Sequence, residues 1–460
     1  MSLFFQSGYS AVLGLVANLI VTILLSPHIF GIYITVLSII SFLNYFSDIG
    51  LAASLIQKKE IHDDDIKTTF TVQQILIISI IVIGFFATSF ITSFYQLPQD
   101  GVYLYWSLLI GFFISSLKTI PSIFLERDIK FEKIVFVQVV ENTVFYFAVS
   151  IMAVLGFGLQ SFTVAVLLRS IVGLILIYSI SFWKPQIGIS RKSLGQLLSF
   201  GLPFQASSFL ALFKDDLIIL YLGKVIGFEA LGYIGWAKKW SDAPIRIIMD
   251  NVNKVLFPLM ARFQDDKEKI SKLCERLLHY QSAILVPIYT GMIFVMPLFV
   301  ELVPRYQKWQ PALPLFTLFA ISSIILSFGA PFMNLLNALG HVKQSFSFMM
   351  LFTIIMWIAT PVLTQQNGLY GFPFAHLLVS TTFILVIIKA QKMFHFSFIK
   401  PVLPSIISSV IMGVGLYLSP AEFVSRVIIG IVLYSLSMIL LFKINPMKEI
   451  AFFTKPSHEQ

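Results

Sequence analysis

Apolar runs of about 20 residues recur along the whole sequence, from Leu3 to Phe442, with only short polar breaks between them. Lipid offers no hydrogen-bond partners to the backbone, so a segment that crosses a bilayer must be a helix or a strand of a closed barrel. These runs are continuous rather than alternating in polarity, which is typical of helices and not of barrel strands. The sequence therefore predicts an all-α polytopic membrane protein.

The runs predict fourteen membrane spans. They cover residues 3–25, 29–56, 68–95, 103–125, 134–155, 160–183, 196–222, 229–260, 272–302, 311–339, 343–365, 369–395, 402–418 and 422–442. Charged residues make up only 12% of the chain, against roughly 25% in soluble domains. No soluble domain of any size is expected. The first run is interpreted as a retained span, because no basic residue precedes it and it lacks a small-residue cleavage site.

Basic residues in the connections are concentrated on one side of the predicted membrane. All but four of them lie after even-numbered spans or in the C-terminal tail, and the exceptions are Lys224, Arg305, Lys308 and Arg426. Because Lys and Arg accumulate in cytoplasmic loops, both termini are predicted to be cytoplasmic. The same bias accounts for most of the formal net charge of +9, so no nucleic-acid partner is expected.

A short internal sequence repeat predicts two lobes. The second span begins with Phe30-Gly31-Ile32-Tyr33, and the eighth begins with Leu231-Gly232-Tyr233. Six spans separate the two copies, and because six is even they share one orientation, which indicates two parallel six-helix lobes. We therefore predict an N-terminal lobe (1–192), a C-terminal lobe (193–398) and a segment with two further spans and a short tail (399–460).

Candidate binding residues are the ionised side chains that the assignment places inside the bilayer. A charge at the bilayer centre costs on the order of 3 kcal/mol even on the mildest scale, so such side chains should face a bundle interior or a wet cavity. The candidates are Lys239, Arg246, Lys214, Asp215, Asp216, Asp242, Asp250, Asp48, Glu141, Lys118 and Arg169.

The eighth span carries the strongest signal. Its charged residues are spaced by three and four positions and so form one helical stripe: Lys239, Asp242, Arg246, Asp250 and Lys254. Either this face lines a hydrophilic cavity, or neighbouring charges pair along the helix and hold it in place. We favour the cavity for the span as a whole, because a structural pair needs only two charges.

Motifs for catalysis and metal binding are hard to find. The run His62-Asp63-Asp64-Asp65 lies in a short loop between lysines and is interpreted as a solvated charge cluster rather than a metal site. Cys274 is the only cysteine, so neither a disulfide nor a cysteine metal cluster can form within the chain. There is no phosphate-cradling glycine loop and no Ser, His and Asp set that periodicity brings together. We expect no enzyme activity, no metal and no cofactor.

The order of several motifs resembles that of a known transporter family. These motifs are PHIFGIYITVLSIISFLNYFSDIGLAASLIQ (27–57), LLSFGLPFQASSFL (197–210), DDLIILYLG and EALGYIGWA (215–237), VLFPLMARFQDD (255–266) and LLNALGHVKQS (335–345). Over nearly the whole chain the sequence resembles bacterial polysaccharide-export proteins of the multidrug/oligosaccharidyl-lipid/polysaccharide (MOP) exporter superfamily, of the O-antigen and teichuronic-acid flippase type.

The resemblance implies both a fold and a substrate. The fold would be two six-helix lobes in a V around a central cavity, with two extra C-terminal helices. The substrate would be an undecaprenyl-pyrophosphate-linked oligosaccharide, moved from the cytoplasmic to the outer leaflet of the bacterial inner membrane by rocking of the lobes. Basic residues lining the cavity would meet the pyrophosphate, with Lys239 and Arg246 first and Lys214 next. Membrane lipids and other polysaccharide-assembly proteins are the further partners implied.

Other functions stay open at this point. In a cation-coupled exporter of small molecules from the same superfamily, the acidic candidates would be decisive. A membrane-embedded glycan polymerase or ligase is less well supported, because such enzymes usually carry a large extracytoplasmic loop and the outward connections here are short. A scaffold for glycan assembly would leave the charged stripe unexplained. The sequence differs in one respect from some lipid-precursor flippases. Those proteins have arginines in the first two spans, whereas this chain has Asn18 and Asp48 there and no arginine.

Overall fold

The computed structural model describes residues 3–263, 266–420 and 422–443, with side chains at all of these except 3–11, 203, 204, 206–211, 214, 215, 250, 251, 253–259 and 261. Across the described residues the chain is helical and contains no β-strand.

The described residues form eighteen α-helices. They are α1 (Leu3–Leu24), α2 (Pro27–Asn44), α3 (Leu51–Gln57), α4 (Asp63–Phe86), α5 (Thr88–Tyr95), α6 (Gln99–Ser116), α7 (Thr119–Arg127), α8 (Phe131–Val154), α9 (Gln160–Ile180), α10 (Arg191–Val225), α11 (Gly227–Arg262), α12 (Lys267–Leu302), α13 (Leu313–Ala338), α14 (Val342–Asn367), α15 (Gly371–Thr382), α16 (Ile384–Phe394), α17 (Ile399–Leu418) and α18 (Phe423–Phe442). Two short 3-10 segments, Gln307–Ala312 and Gly368–Tyr370, precede α13 and α15.

The helices confirm the predicted all-α membrane fold. Each of the fourteen predicted spans coincides with one helix or with two consecutive helices. In the described part of the chain, nine helical stretches are long and apolar enough to cross a bilayer, and the bent pair α6–α7 adds a tenth. Helices α10 and α11 hold more charge, but their 35 and 36 residues exceed the 20 or so that a bilayer requires.

Four of the predicted spans are broken helices rather than continuous ones. The second, third, fourth and twelfth spans divide into α2–α3, α4–α5, α6–α7 and α15–α16. At the first break Gly50 takes a left-handed backbone conformation with φ of +83°, which most other residues cannot adopt without strain. Between α6 and α7 the helix axis bends by 43°. Non-helical backbone at membrane depth is tolerated where it is buried in protein or lines a cavity.

Two compact units, Met1–Gly235 and Trp236–Gln460, divide the chain. In the first unit α10 packs along α2, α3 and α4. In the second, α12 packs against α13 and α17, and α17 against α18. The lobes predicted at 1–192, 193–398 and 399–460 stay a prediction.

Glycines bring α2 and the start of α11 into backbone contact in the first unit. A Cβ added to Gly31 would overlap the carbonyl oxygen of Phe228, and one added to Gly232 would overlap the carbonyl oxygen of Pro27. Each glycine therefore packs on the carbonyl one helical turn before the other glycine, as helices do when small residues let their backbones approach. The two copies of the internal sequence repeat thus contact each other reciprocally.

Short helices α3 and α7 are held in the core of the first unit. Leu51 and Leu55 of α3 pack with Ile120 and Ile123 of α7 and with Leu197 of α10, and none of these side chains is more than 2% exposed. This contact fixes the helix that follows the break at Gly50.

The C-terminal end of α3 is capped by a side chain from α7. Arg127 donates through Nη1 to the carbonyls of Leu55, Ile56 and Lys58, and through Nη2 to that of Lys59, at 2.5–3.0 Å. The last carbonyls of a helix lack partners within the helix, and the planar guanidinium carries five donors that can reach several of them at once.

In the second unit, aromatic side chains join α11 to α12 and to the segment that precedes α13. The Trp236 ring stacks on Trp309 with centroids 5.7 Å apart, and its Nε1 donates to the Tyr306 hydroxyl at 2.8 Å. Tyr289 of α12 donates to the carbonyl of Ser241 in α11 at 2.7 Å. The hydrogen bonds satisfy the polar atoms of buried rings, so the rings can fill the core without leaving unpaired donors.

We expect Gly31→Ala and Gly232→Ala each to destabilise the protein, because the new methyl group would have to displace a backbone carbonyl. The cost of such overpacking is about 1–3 kcal/mol. The measurement is the fraction of purified protein that stays monodisperse in detergent after heating. Because both glycines belong to one contact, the double variant should lose less stability than the sum of the single variants.

Gly195→Ala is the matched control, since nothing lies within 4 Å of a Cβ added at that helical position. It should be as stable as the wild type or slightly more so, because alanine is the better helix former. Equal thermal stability of Gly31→Ala, Gly232→Ala and Gly195→Ala would contradict the proposed close contact.

Candidate functional site

The break between α2 and α3 places polar groups at membrane depth. Asp48 accepts a hydrogen bond from the backbone N–H of Ala52 at 3.1 Å, which caps the start of α3. Gln205 of α10 donates to the carbonyl of Tyr45 at 2.8 Å and so satisfies a backbone acceptor within the break. The break is therefore held in a defined conformation by side chains on both of its sides.

A polar cavity of about 440 Å³ adjoins this break in the first unit. The described residues that line it come from the break, α4, the α6–α7 bend and α10, and they are Asn44, Tyr45, Ser47, Asp48, Gln73, Ile77, Phe112, Ser115, Ser116, Thr119 and Gln205. Asp48 is the one carboxylic acid among them. The cavity is therefore acidic and rich in hydroxyl and carboxamide groups.

Two of the predicted candidates form a buried ion pair in the first unit. Lys118, at the α6–α7 bend, lies 2.5 Å from the carboxylate of Glu141 in α8, and their side chains are 16% and 8% exposed. Gly173 of α9 lies directly against this carboxylate, because a Cβ at that position would overlap it. The pair links α8 and α9 to the bend beside the polar cavity.

Arg169 lies one helical turn from Gly173 on the same helix. Its guanidinium carbon is 5.8 Å from the centroid of the Phe145 ring, and Phe145 lies one turn from Glu141 on α8. A cation at this distance from a ring face is attracted by the ring quadrupole. The facing surfaces of α8 and α9 therefore hold Arg169 beside Phe145, one helical turn from the carboxylate that pairs with Lys118.

On α11 the predicted stripe contains a short charge network. Asp242 accepts a hydrogen bond from Lys238 at 2.9 Å and lies 3.9 Å from Arg246, one turn away on each side. The side chain of Arg246 is 73% exposed, and Lys239 is also exposed. Between residues 238 and 246 there are thus three basic residues and one acidic residue, which leaves the segment net positive.

The structure describes the surroundings of the other candidates less completely. Asp216 on α10 is partly exposed and makes an interaction with another group. The side chains of Lys214, Asp215 and Asp250 lie outside the described residues, although their backbones belong to α10 and α11. Among the described residues no three His, Cys, Asp or Glu side chains are grouped so that they could hold a metal ion.

Several polar residues of the first unit were not singled out from the sequence. Gln73 in α4 donates to Thr119 at 3.2 Å. Lys58 donates to both carboxylate oxygens of Asp65 at 2.8 Å and to Gln196 at 3.0 Å. The interpretation of the His62–Asp65 run as a solvated cluster is wrong for Asp65, because its side chain is only 1% exposed and lies in the first turn of α4. A buried carboxamide in an apolar span is the signal that could have identified Gln73, because such groups need partners within the protein.

An apolar cavity of about 630 Å³ lies in the second unit between α12, α17 and α18. Its walls are mostly aliphatic and aromatic, and they include Met296, Met412, Phe423 and Ile431. Arg426 also lines it and donates to the carbonyl of Ser419 at 2.7 Å. The cavity can accommodate an extended hydrocarbon chain.

Comparison with known proteins finds one matching family. The family described as "Polysaccharide biosynthesis protein" matches residues 20–314. The chain is 27% identical over 432 residues to the lipopolysaccharide biosynthesis protein WzxC of Escherichia coli strain K12, and the match covers 92% of this chain and 85% of WzxC.

Two solved structures share the fold. The lipid II flippase MurJ in an inward closed conformation has a TM-score of 0.78 at 14% sequence identity, and the match covers 96% of this chain and 99% of MurJ. A multidrug resistance MATE family transporter of the MOP superfamily, in an inward-facing conformation, has a TM-score of 0.62 at 14% identity, covering 85% of this chain and 96% of that one. At this identity the likeness concerns the fold.

We expect Lys118→Met alone to destabilise the protein strongly, because it leaves the Glu141 carboxylate buried without its partner. Breaking a buried pair from one side costs about 3–5 kcal/mol, whereas replacing both charges by apolar groups is often neutral. The double variant Lys118→Met/Glu141→Leu should therefore be more stable than Lys118→Met. Thermal stability in detergent is the measurement.

The exposed pair Lys130 and Asp128, whose side chains are 46% and 56% exposed, supplies the control. Lys130→Met should change the stability by less than about 1 kcal/mol. The prediction fails if Lys118→Met and Lys130→Met have the same thermal stability.

Proposed function

Because the chain belongs to the polysaccharide biosynthesis protein family, we propose that it is a flippase for an undecaprenyl-pyrophosphate-linked oligosaccharide. It moves the intact lipid from the cytoplasmic to the outer leaflet of a bacterial inner membrane, for the synthesis of a surface polysaccharide. The family match and the fold confirm the resemblance to the MOP exporter superfamily. The names of WzxC and MurJ support polysaccharide synthesis and flipping of a lipid-linked precursor.

The net positive segment of α11 is the observation that carries the proposal. A pyrophosphate is a dense anion, and Arg and Lys form short, strong hydrogen bonds with phosphate oxygens. Lys239 and Arg246 are exposed on a helix long enough to span the bilayer, so both can reach a ligand. Asp242 pairs with Lys238 and limits the local repulsion between the cations. Lys214 on α10 is proposed as a further contact.

The apolar cavity of the second unit suits the other end of such a lipid. A polyprenyl chain is stabilised by contact with apolar surface, because burial of apolar area contributes about 25 cal/mol per Å². The walls of the cavity are mostly aliphatic and aromatic, and they are formed in part by α17 and α18, the two helices beyond the predicted twelve-helix core.

Transport of an intact lipid makes and breaks no covalent bond, so we assign no catalytic residue. The proposed mechanism is alternating access, in which the charged segment of α11 is exposed to each leaflet in turn. The excess of Lys and Arg after even-numbered spans supports cytoplasmic termini. Membrane lipids, and other proteins that assemble the same polysaccharide, are the proposed further partners.

A cation-coupled exporter of small molecules is the second candidate. The fold shared with a MATE family transporter and the carboxylate of Asp48 in a polar cavity favour it. The two candidates differ in the residue that matters: loss of transport in Asp48→Asn but not in Arg246→Ala would support the exporter.

We expect cells that lack the protein to accumulate lipid-linked oligosaccharide on the cytoplasmic leaflet. The wild type should cure the accumulation and Lys239→Ala/Arg246→Ala should not, because each lost charge-assisted hydrogen bond removes about 1.5–3 kcal/mol of binding, which is at least tenfold in affinity. The measurement is leaflet-resolved labelling of the lipid in intact cells.

Lys130→Ala is the control for a basic residue outside the charged segment, and it should cure the accumulation as the wild type does. All variants are compared at equal protein levels in the membrane. If the lipid reaches the outer leaflet normally in the absence of the protein but is not polymerised, the flippase proposal is wrong and a polymerase or ligase should replace it.

A further inference from the structure

The polar cavity of the first unit has a chemistry that pyrophosphate cannot use. Among the described residues that line it, Asp48 is the one carboxylic acid and none is Lys or Arg. A second anion placed beside this carboxylate would be repelled. The occupant must therefore be a cation or a neutral group that carries hydrogen-bond donors.

Gln73 is a second residue of the lining that carries an acceptor. Its side chain lines the cavity and the residue is only 4% exposed. The Nε2 group donates to Thr119 at 3.2 Å, whereas the Oε1 atom has no hydrogen-bond partner among the described residues. Buried acceptors are rarely left unpaired, so a donor from a bound group is the simplest partner.

The size of the cavity favours one of the two classes of occupant. A dehydrated metal cation is surrounded by oxygens at only 2.3–2.6 Å in typical hard-cation sites, which requires a small fraction of 440 Å³. Pockets that bind small organic molecules measure about 300–1,000 Å³. The cavity thus matches an organic group larger than an ion.

The remaining walls match a sugar ring. Asn44 and Gln205 contribute planar carboxamides, Ser115 a hydroxyl, and Tyr45 and Phe112 aromatic rings. A sugar presents hydroxyl groups at its edges and C–H groups on its faces, so it needs acceptors and donors around it and apolar contact beside it. Asn44 is exposed, so the cavity opens to the surface of the first unit.

We infer that this cavity is a sugar subsite that takes one or two neutral sugars of the lipid-linked glycan, with Asp48 and Gln73 accepting hydrogen bonds from sugar hydroxyls. The inference rests on the proposed function and deepens it, because it names a site for the glycan part of the proposed substrate. The subsite would favour glycosylated carrier lipid over the bare carrier.

The test compares the binding of two lipids to the full chain in nanodiscs. One probe is bare undecaprenyl pyrophosphate, and the other is the glycosylated carrier purified from cells that lack the protein. The wild type should bind the glycosylated lipid about tenfold more tightly, because each hydrogen bond to a buried or charged acceptor contributes substantially to binding. Gln73→Leu and Asp48→Asn should each remove most of this preference while the affinity for the bare lipid stays within about twofold.

Gln160→Leu is the matched control, because Gln160 also donates through Nε2, to Asp100 at 3.0 Å, but does not line the cavity. It should keep the wild-type preference. If Gln73→Leu or Asp48→Asn binds neither lipid, Ser115→Ala is used in its place. This substitution removes a single hydroxyl from the lining and should still lower the preference for the glycosylated lipid.

An unchanged preference in Gln73→Leu, Asp48→Asn and Ser115→Ala would overturn the sugar subsite. The same holds if Asp48→Asn abolishes a dependence of transport on sodium ions without changing the preference, because the cavity would then be a cation site. If the wild type binds neither lipid, the proposed function itself fails, and this outcome is separate from failure of the subsite alone.

Discussion

The scarcity of hydrogen-bond partners in the hydrocarbon of a bilayer governs the structure of this protein. It makes every described span a helix or a pair of helices, and it requires that the ends and breaks of those helices be satisfied by side chains. Arg127 meets this requirement for the end of α3, and Gln205 meets it for the carbonyl of Tyr45 within the break. Several buried polar atoms have no such partner among the described residues, and Gln73 Oε1 is the one that belongs to a residue of the polar cavity for which we propose a ligand.

Close packing of helix backbones is the second requirement, because lipid tails give two apolar helices no hydrophobic reason to associate. The contact of Gly31 and Gly232 with opposing carbonyls allows dispersion contacts and weak Cα–H···O hydrogen bonds over a full helical turn. This contact is the structural counterpart of the internal sequence repeat. Its two copies form one reciprocal contact rather than two independent helix starts.

The candidate residues separate into two groups once their neighbours are known. Lys118 and Glu141 have each other as partners in a largely buried pair, which fits a role in holding helices together. Arg246 is exposed beside a carboxylate that already has Lys238 as its partner, which fits a role in contacting a ligand. All of them look alike in the sequence, as ionised residues in apolar spans. The side chains that line the polar cavity are mostly uncharged, so a search for intramembrane charges finds Asp48 and misses Gln73.

The sequence by itself determined the helical class, the position of the spans and the charged stripe of α11, because hydropathy and helical spacing are properties of consecutive residues. It did not determine the breaks at Gly50 and at the α6–α7 bend, since each lies within a continuous apolar run. Only the tertiary structure decided which polar groups meet. Lys118 and Glu141 are 23 positions apart, and Lys58 and Gln196 are 138 apart. Such contacts depend on how helices pack, and no local pattern in the chain records that packing.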